Sequence, residues 1–385
     1  MRKKIKIGID ARMYDIPMGI GRYTRELVKE LDKIDTPYEF YLFLNKKGFE
    51  MYQPQKKNFH KVLADIGHYN YSEQMKMPFV LRKVKLDLVH FTHFNKSIFY
   101  RRPYVVTIHD LTYTVHKKVR TTKLSPLMYE YKHLAYSLAI WDTIKRAKKV
   151  IVPTNDAKKD IMGIYHENTK KIRATYESCS EGFSPEKKDD NFLKNNKWGI
   201  KNPYFFCVSN GSPHKNLKRL VEAFEIFFKT RKEANLVLAG KNNKFYDDLR
   251  IFLNNKPEIK DAVILTGEVT DEELQVLLAS SYAMTFASLA EGFGIPVLEG
   301  MTSGVPVLTS NVSCLPEVGG EAALYFDPYD VADIADKMKE IWEDKNLRKK
   351  LVQLGLERVK LFSWAKMAKE TVAVYEEILK DLGKI

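Results

Sequence analysis

Two glutamates, Glu291 and Glu299, bracket the run Gly292-Phe293-Gly294-Ile295-Pro296. Gly292 and Gly294 let the backbone approach a ligand closely. Pro296 suits the first turn of a helix, and amides at a helix N-terminus attract phosphate. A carboxylate beside a bound phosphate is electrostatically costly unless it has another task, and accepting hydrogen bonds from sugar hydroxyls is such a task. The competing reading is a tight strand-to-helix turn with two solvated glutamates. Elsewhere, His109 ends the apolar run Val105-Val106-Thr107-Ile108, at the carboxyl end of a strand, where open α/β sheets bind ligands. His90 and His93 are spaced as H-x-x-H, but no spaced carboxylate or cysteine completes a metal site, so they read as strand-end residues.

Positioning these residues takes strands that deliver them to one edge. The Glu291 turn lies between two apolar runs, Tyr282–Phe286 and Val305–Thr309, and Gly304 closes the helix between them. The second half of the chain opens with Tyr204–Asn210, then the loop Gly211-Ser212-Pro213-His214-Lys215-Asn216, then helical apolar spacing at 217, 220, 221 and 224. Further strands are expected at Leu236–Gly240 and Val263–Leu265. The first half opens with the strand Ile5–Asp10, a loop containing Gly19 and Gly21, and a helix with apolar residues at 23, 27, 28 and 31. Strands at Glu39–Asn45, Leu88–Phe91, Tyr104–Ile108, Val150–Asn155 and Lys170–Ser178 follow. Strand, glycine loop, helix, repeated in both halves, predicts two doubly wound α/β domains.

With these elements the chain resembles the GT4-type (group 1) retaining glycosyltransferases of the GT-B fold, through E-G-F-G-x-P-x-L-E at 291–299 and the loop holding Lys215. The resemblance covers nearly the whole chain and is most specific over 205–330. It implies two Rossmann-like domains facing across a cleft: an acceptor-binding domain at 1–182, a linker at 183–202, a nucleotide-sugar domain at 203–362, and a helix at 363–385 returning towards the first domain. It implies that Glu291 holds hydroxyls of the donor sugar and Glu299 the ribose, that Lys215 neutralises the diphosphate, and that His109 lies by the sugar. His109, Glu291 and Lys215 are thereby the catalytic candidates. The donor contacts implied are Gly19, Gly21, Asn210, Lys215, Gly267, Val269, Glu291, Gly292, Phe293, Gly294, Ile295 and Glu299. The family often has an arginine where this chain has Asn210, so a cationic contact is missing or supplied elsewhere. The expected reaction is metal-independent hexosyl transfer from a GDP- or UDP-sugar to a saccharide or lipid-linked acceptor, with no cofactor. It proceeds by front-face attack, and Glu291 orients the sugar. The loops at His109 and Lys215 lean towards mannosyl transfer. The alternatives are a nucleotide-sugar epimerase of similar double-Rossmann shape and a non-catalytic basic membrane-docking protein with a relic donor site.

Composition bounds these readings. At 385 residues, 44% hydrophobic and 29% charged, two soluble globular domains are expected. Net charge is +14, and residues 1–180 alone hold 35 Lys and Arg against 18 Asp and Glu. That imbalance points to an anionic partner for the first half, and the basic, aromatic stretch 101–149 suits an anionic membrane surface. No nucleic-acid motif accompanies it. Cys179, Cys207 and Cys314 form no disulfide or metal pattern and point to a reducing compartment. No signal sequence or spanning segment is expected. Together these give a cytoplasmic protein, peripheral at the inner face of the membrane.

Overall fold

The computed structural model describes residues 4–17, 19–111 and 126–385, with the side chains of 126–133 and 135 left aside. Lys117, Lys118, Arg120 and Tyr113 of the basic stretch, and the side chains of Tyr129 and Tyr131, lie outside the described residues. The chain divides into two compact units. The first holds the described residues up to 111, those from 126 to 177, and Ser363–Ile385; the second holds Ser178–Phe362.

The first unit is built on a seven-stranded parallel sheet of order β3-β2-β1-β4-β5-β6-β7. Its strands are β1 (Lys6–Asp10), β2 (Glu39–Leu44), β3 (Phe59–Leu63), β4 (Leu88–Phe91), β5 (Tyr104–Thr107), β6 (Lys149–Val152) and β7 (Ile172–Ala174). Central strands such as β5 and β6 are buried throughout, which is why Val105–Thr107 and Val150–Val152 read as unbroken β-branched runs rather than alternating ones. β3 and helix Tyr71–Lys83 are additions to the sequence expectation. β3 pairs on one side only, with β2, and sets His60 and Lys61 side by side between apolar residues, so it shows neither an unbroken apolar run nor a clean alternation. Helix Tyr71–Lys83 carries Pro78 and apolar residues on more than one face, so it shows no clean stripe. Helix Trp364–Asp381 belongs to this unit. Its Tyr375 hydroxyl meets His90 Nδ1 at 2.6 Å, and Tyr38 donates to Glu376 at 3.4 Å.

The second unit has a six-stranded parallel sheet of order β10-β9-β8-β11-β12-β13. The strands are β8 (Tyr204–Val208), β9 (Asn235–Ala239), β10 (Val263–Gly267), β11 (Ala283–Phe286), β12 (Val307–Ser310) and β13 (Ala323–Phe326). Helix Leu217–Phe228 buries Leu217, Leu220, Val221 and Phe224 against the sheet, the spacing read from sequence. Each such side chain contributes about 2–3 kcal/mol on burial. Helix Ile295–Thr302 starts with Pro296 in its first turn, and Gly304 follows it at φ +68, a left-handed stop that suits glycine. Both sheets are doubly wound, so each gathers its carboxyl-end loops on one edge. No described helix is long and apolar enough to cross a membrane.

Candidate active site

In the second unit β8 and β11 are neighbours, and the chain leaves them in opposite directions, towards β9 and towards β12. That reversal opens a crevice at the carboxyl ends of the strands. Two loops meet there. Pro213 starts a short 3-10 turn after β8, and Asn216 ends it in the left-handed region at φ 60, its side-chain Nδ2 donating to the Pro328 carbonyl at 2.7 Å. The loop after β11 docks onto this turn: the Leu289 amide and the Ser288 hydroxyl both donate to the His214 carbonyl, at 2.7 and 3.2 Å. The docking brings Lys215 Nζ to 2.5 Å from Glu291 Oε1 and over the Phe286 ring, with the lysine and glutamate side chains only 15% and 13% exposed.

The turn following Glu291 is held from a third loop. Ser313, itself at φ 56, accepts from the Glu291 amide at 3.3 Å and donates to the Glu291 carbonyl at 2.9 Å; the Cys314 thiol donates to the same carbonyl. Gly294 caps helix Ile295–Thr302 at φ 90, and a Cβ there would lie 2.7 Å from Leu315 Cδ2. No side chain caps this helix, so its positive end suits an anion. Glu299 lies on the same helix, 3% exposed. It is close enough that its charge adds to burial in raising the Cys179 thiol above its ordinary pKa. Neither glutamate is a solvated surface group.

The remaining residues singled out in this unit lie on the same edge. Asn210 is exposed. Its side-chain oxygen accepts from the Ser212 amide at 3.1 Å, which shapes the loop and supplies no charge. Gly267 ends β10 at φ +74 beneath the Asn242 amide, and half-buried Val269 follows it. Phe286, Ser313 and Cys314 are site residues that local sequence did not single out by role. Phe286 ends an apolar strand run, and Ser313 and Cys314 lie in the small polar stretch that follows β12.

In the first unit His109 stands two residues beyond β5. Its Nε2 donates to the Thr92 carbonyl at 2.9 Å, its Nδ1 faces Glu177 Oε1 at 3.3 Å, and its ring meets the edge of Tyr23. Gly19 caps helix Ile20–Leu31 without a side-chain bond, and a Cβ on Gly21 would collide with the Ile16 carbonyl at 2.0 Å. Arg25 straps the loop between them and β1 by donating to the Tyr14, Ile16 and Pro17 carbonyls. An ionic cluster not anticipated from sequence lies at the end of β1. Arg12, 1% exposed, is bidentate to Asp10 and also donates to Glu73 at 2.6 Å. Burial pushes Asp10 up, but the Arg12 guanidinium outweighs it and holds the carboxyl below its usual range. His90 and His93 are buried, and burial pushes both down to about 3, so both are neutral at pH 7. Among the described residues no group of three or more His, Cys, Asp or Glu is placed to hold a metal ion.

A family model described as Glycosyl transferases group 1 matches residues 188–358, and one described as Glycosyltransferase Family 4 matches residues 17–176. The chain belongs to the group 1, GT4-type glycosyltransferases. Of its relatives, O-antigen chain mannosyltransferase B of Escherichia coli is 27% identical over 93% of this chain and 96% of that one. O-antigen chain mannosyltransferase RfbU of Salmonella typhimurium is 25% identical over 72% of this glycosyltransferase and 71% of the relative. Among solved structures, sucrose-phosphate synthase from Thermosynechococcus elongatus superposes with a TM-score of 0.72 at 18% identity, covering 98% of this chain and 100% of that one. The fold of this glycosyltransferase is GT-B, two Rossmann-like domains with parallel sheets.

Proposed function

We propose that this glycosyltransferase moves a mannosyl residue from a nucleotide-diphosphate mannose to a saccharide or lipid-linked acceptor, with retention at the anomeric carbon and without a metal ion. The observation that carries the donor site is the Lys215–Glu291 pair beside the helix capped by Gly294, at the switch point of the second unit. The names of the two O-antigen relatives favour mannose.

In this reading Lys215 and the helix end meet the charge of the diphosphate, which makes a divalent cation dispensable. Glu299 accepts from the ribose hydroxyls, and Gly267 and Val269 border the base. Glu291, already bonded by Lys215, orients the sugar hydroxyls and is a poor nucleophile. The acceptor hydroxyl attacks the anomeric carbon on the face the diphosphate leaves. The bond from that carbon to the phosphate oxygen breaks, the new glycosidic bond forms, and the departing phosphate takes the acceptor proton. The gain comes from positioning and from stabilising the leaving group. His109 is the first unit's residue proposed to act on the sugar, and that unit's basic surface is proposed to receive the acceptor. Cysteine usage and the nucleotide-sugar donor favour the cytoplasmic side.

A thermal-shift panel of GDP- and UDP-sugars in EDTA tests the donor site. A mannose nucleotide should stabilise the protein, and its free diphosphate should do so too. Stabilisation that requires added Mg²⁺ or Mn²⁺ would overturn the metal-free reading.

A further inference from the structure

Four polar side chains that the donor chemistry does not use form one buried chain through the first unit. The Tyr375 hydroxyl lies 2.6 Å from His90 Nδ1, His90 Nε2 lies 2.8 Å from Thr107 Oγ1, and Thr107 Oγ1 lies 3.0 Å from the Tyr23 hydroxyl. All four residues are at most 1% exposed. Each comes from a different element: helix Trp364–Asp381, β4, β5 and helix Ile20–Leu31. Phenylalanine, leucine and valine would fill such space with no polar atom to satisfy. Burying polar groups costs free energy that only pairing offsets. What a fully paired buried network adds is a single, rigid arrangement.

The links depend on one another. Burial holds both phenols above their ordinary range, so Tyr23 and Tyr375 keep their protons, and it keeps His90 neutral. A neutral imidazole has one donor nitrogen and one acceptor nitrogen. If Tyr375 donates to Nδ1, then Nε2–H donates to Thr107, and the threonine hydroxyl is left to donate to Tyr23. If Tyr23 donates instead, all three bonds reverse. Removing the Tyr375 hydroxyl therefore releases the His90 tautomer, and with it the bond at the far end.

That far end is His109. The Tyr23 ring stands at 79° to the His109 ring, with centroids 4.6 Å apart, and Thr107 lies two residues before His109 in sequence. The next residue of the helix, Thr24, meets the Thr92 hydroxyl at 3.2 Å, and the Thr92 carbonyl accepts from His109 Nε2. Two successive side chains thus tie helix Ile20–Leu31 to the strand ends that hold this ring. At the other end Lys149 of β6 bonds Glu377, two residues beyond Tyr375, which steadies helix Trp364–Asp381 against the sheet. We propose that Tyr23 is a positioning residue for His109, and that Thr107, His90 and Tyr375 fix Tyr23 from helix Trp364–Asp381. The four side chains act through His109 and not by touching substrate. This rests on the placement of His109 beside the donor sugar.

Proton–nitrogen spectra of the full-length protein carrying isotopically labelled histidine read the ring directly. The chain has nine histidines, and the His109 signals are those lost in His109→Gln. Tyr375→Phe is the decisive variant, because three hydrogen bonds separate that hydroxyl from Tyr23. It should move the His109 signals and leave those of His60, His166 and His214 in place. Should it fail to fold, Thr107→Val takes its place, with Thr107→Ser, which keeps the hydroxyl, as the rescue. Turnover of GDP-mannose with a mannose-terminated oligosaccharide is followed in parallel. Tyr375→Phe should lower kcat about tenfold with both KM values unchanged, since a misplacement of about 1 Å can cost about 100-fold. On a His109→Ala background it should have no further effect. His109 signals that stay in place overturn the proposal. So does a loss of kcat that multiplies with that of His109→Ala, which marks a merely structural role. Wild-type turnover in His109→Ala overturns the placement of His109 by the sugar and the proposal with it, whereas lowered turnover there with unmoved ring signals overturns the proposal alone.

Discussion

Replacing Lys215 by methionine, alone and together with Glu291→Gln, probes the donor site at its most informative contact. At 2.5 Å between Nζ and Oε1, the Coulomb attraction is about 7 kcal/mol at an effective dielectric of about 20. Desolvating both groups offsets most of this. Lys215→Met alone leaves Glu291 as a largely buried, uncompensated carboxylate, which costs about 3–5 kcal/mol. The melting temperature should fall by roughly 10 °C, at a few degrees per kcal/mol for a unit of this size. Adding Glu291→Gln removes that charge and should restore most of the stability. Nucleotide affinity behaves differently. Losing a charge-assisted hydrogen bond to the diphosphate costs about 1.5–3 kcal/mol, or about 10- to 150-fold in Kd, and the second substitution does not bring it back. Calorimetric titration of GDP and UDP into the folded double variant reads this directly. A double variant that binds the diphosphate as tightly as wild type would refute the assignment of Lys215 to the phosphates.

Glu299→Ala should weaken free diphosphate and sugar nucleotide alike, by about 1.5–3 kcal/mol for a charged hydrogen bond, and equal calorimetric affinities would remove it from the ribose. Gly294→Ala forces a side chain to φ 90 and into Leu315. It should cost about 1–2 kcal/mol from the backbone alone, lowering both the melting temperature and diphosphate affinity. His109→Ala should cut turnover while leaving diphosphate affinity intact, because it belongs to the first unit; wild-type turnover would place it outside the reacting centre. Acid should destabilise the fold through His90 and His93. Their folded values of about 3 lie below the unfolded value of about 6.5, so the unfolded chain binds more protons between those limits and stability falls as pH drops below about 6.5. At pH 5 each contributes a loss of about 2 kcal/mol. His90→Gln, which removes a ring set among Tyr375, Thr107, His109 and Asp10, should flatten the fall in melting temperature between pH 7 and pH 5.

What was legible in the sequence was local. The glycines, Pro296 and Gly304 mark a strand-to-helix turn by backbone chemistry alone, and the buried central strands announce themselves as unbroken apolar runs. Edge elements were harder. β3, paired on one side only, carries His60 and Lys61 among its five residues, and β13, at the other sheet's edge, pairs only with β12 and leaves Leu324 and Tyr325 half-buried. The site's geometry was beyond local reading. Lys215 and Glu291 are 76 positions apart and meet only because β11 inserts beside β8. The Arg12–Glu73 contact spans 61 positions for the same kind of reason. Helix Tyr71–Lys83 was hidden because apolar residues on both faces erase the periodicity that marks an ordinary surface helix.

The most direct test of the central claim is product analysis. The protein, in EDTA, is incubated with GDP-mannose, whose mannose is α-linked, and with mannose-terminated oligosaccharides, free and lipid-linked; the product's anomeric linkage is read by NMR. The account predicts a new mannosyl residue in the α configuration, formed without metal and lost in Lys215→Met/Glu291→Gln. A β-linked product, or transfer that persists undiminished in that double variant, would contradict it.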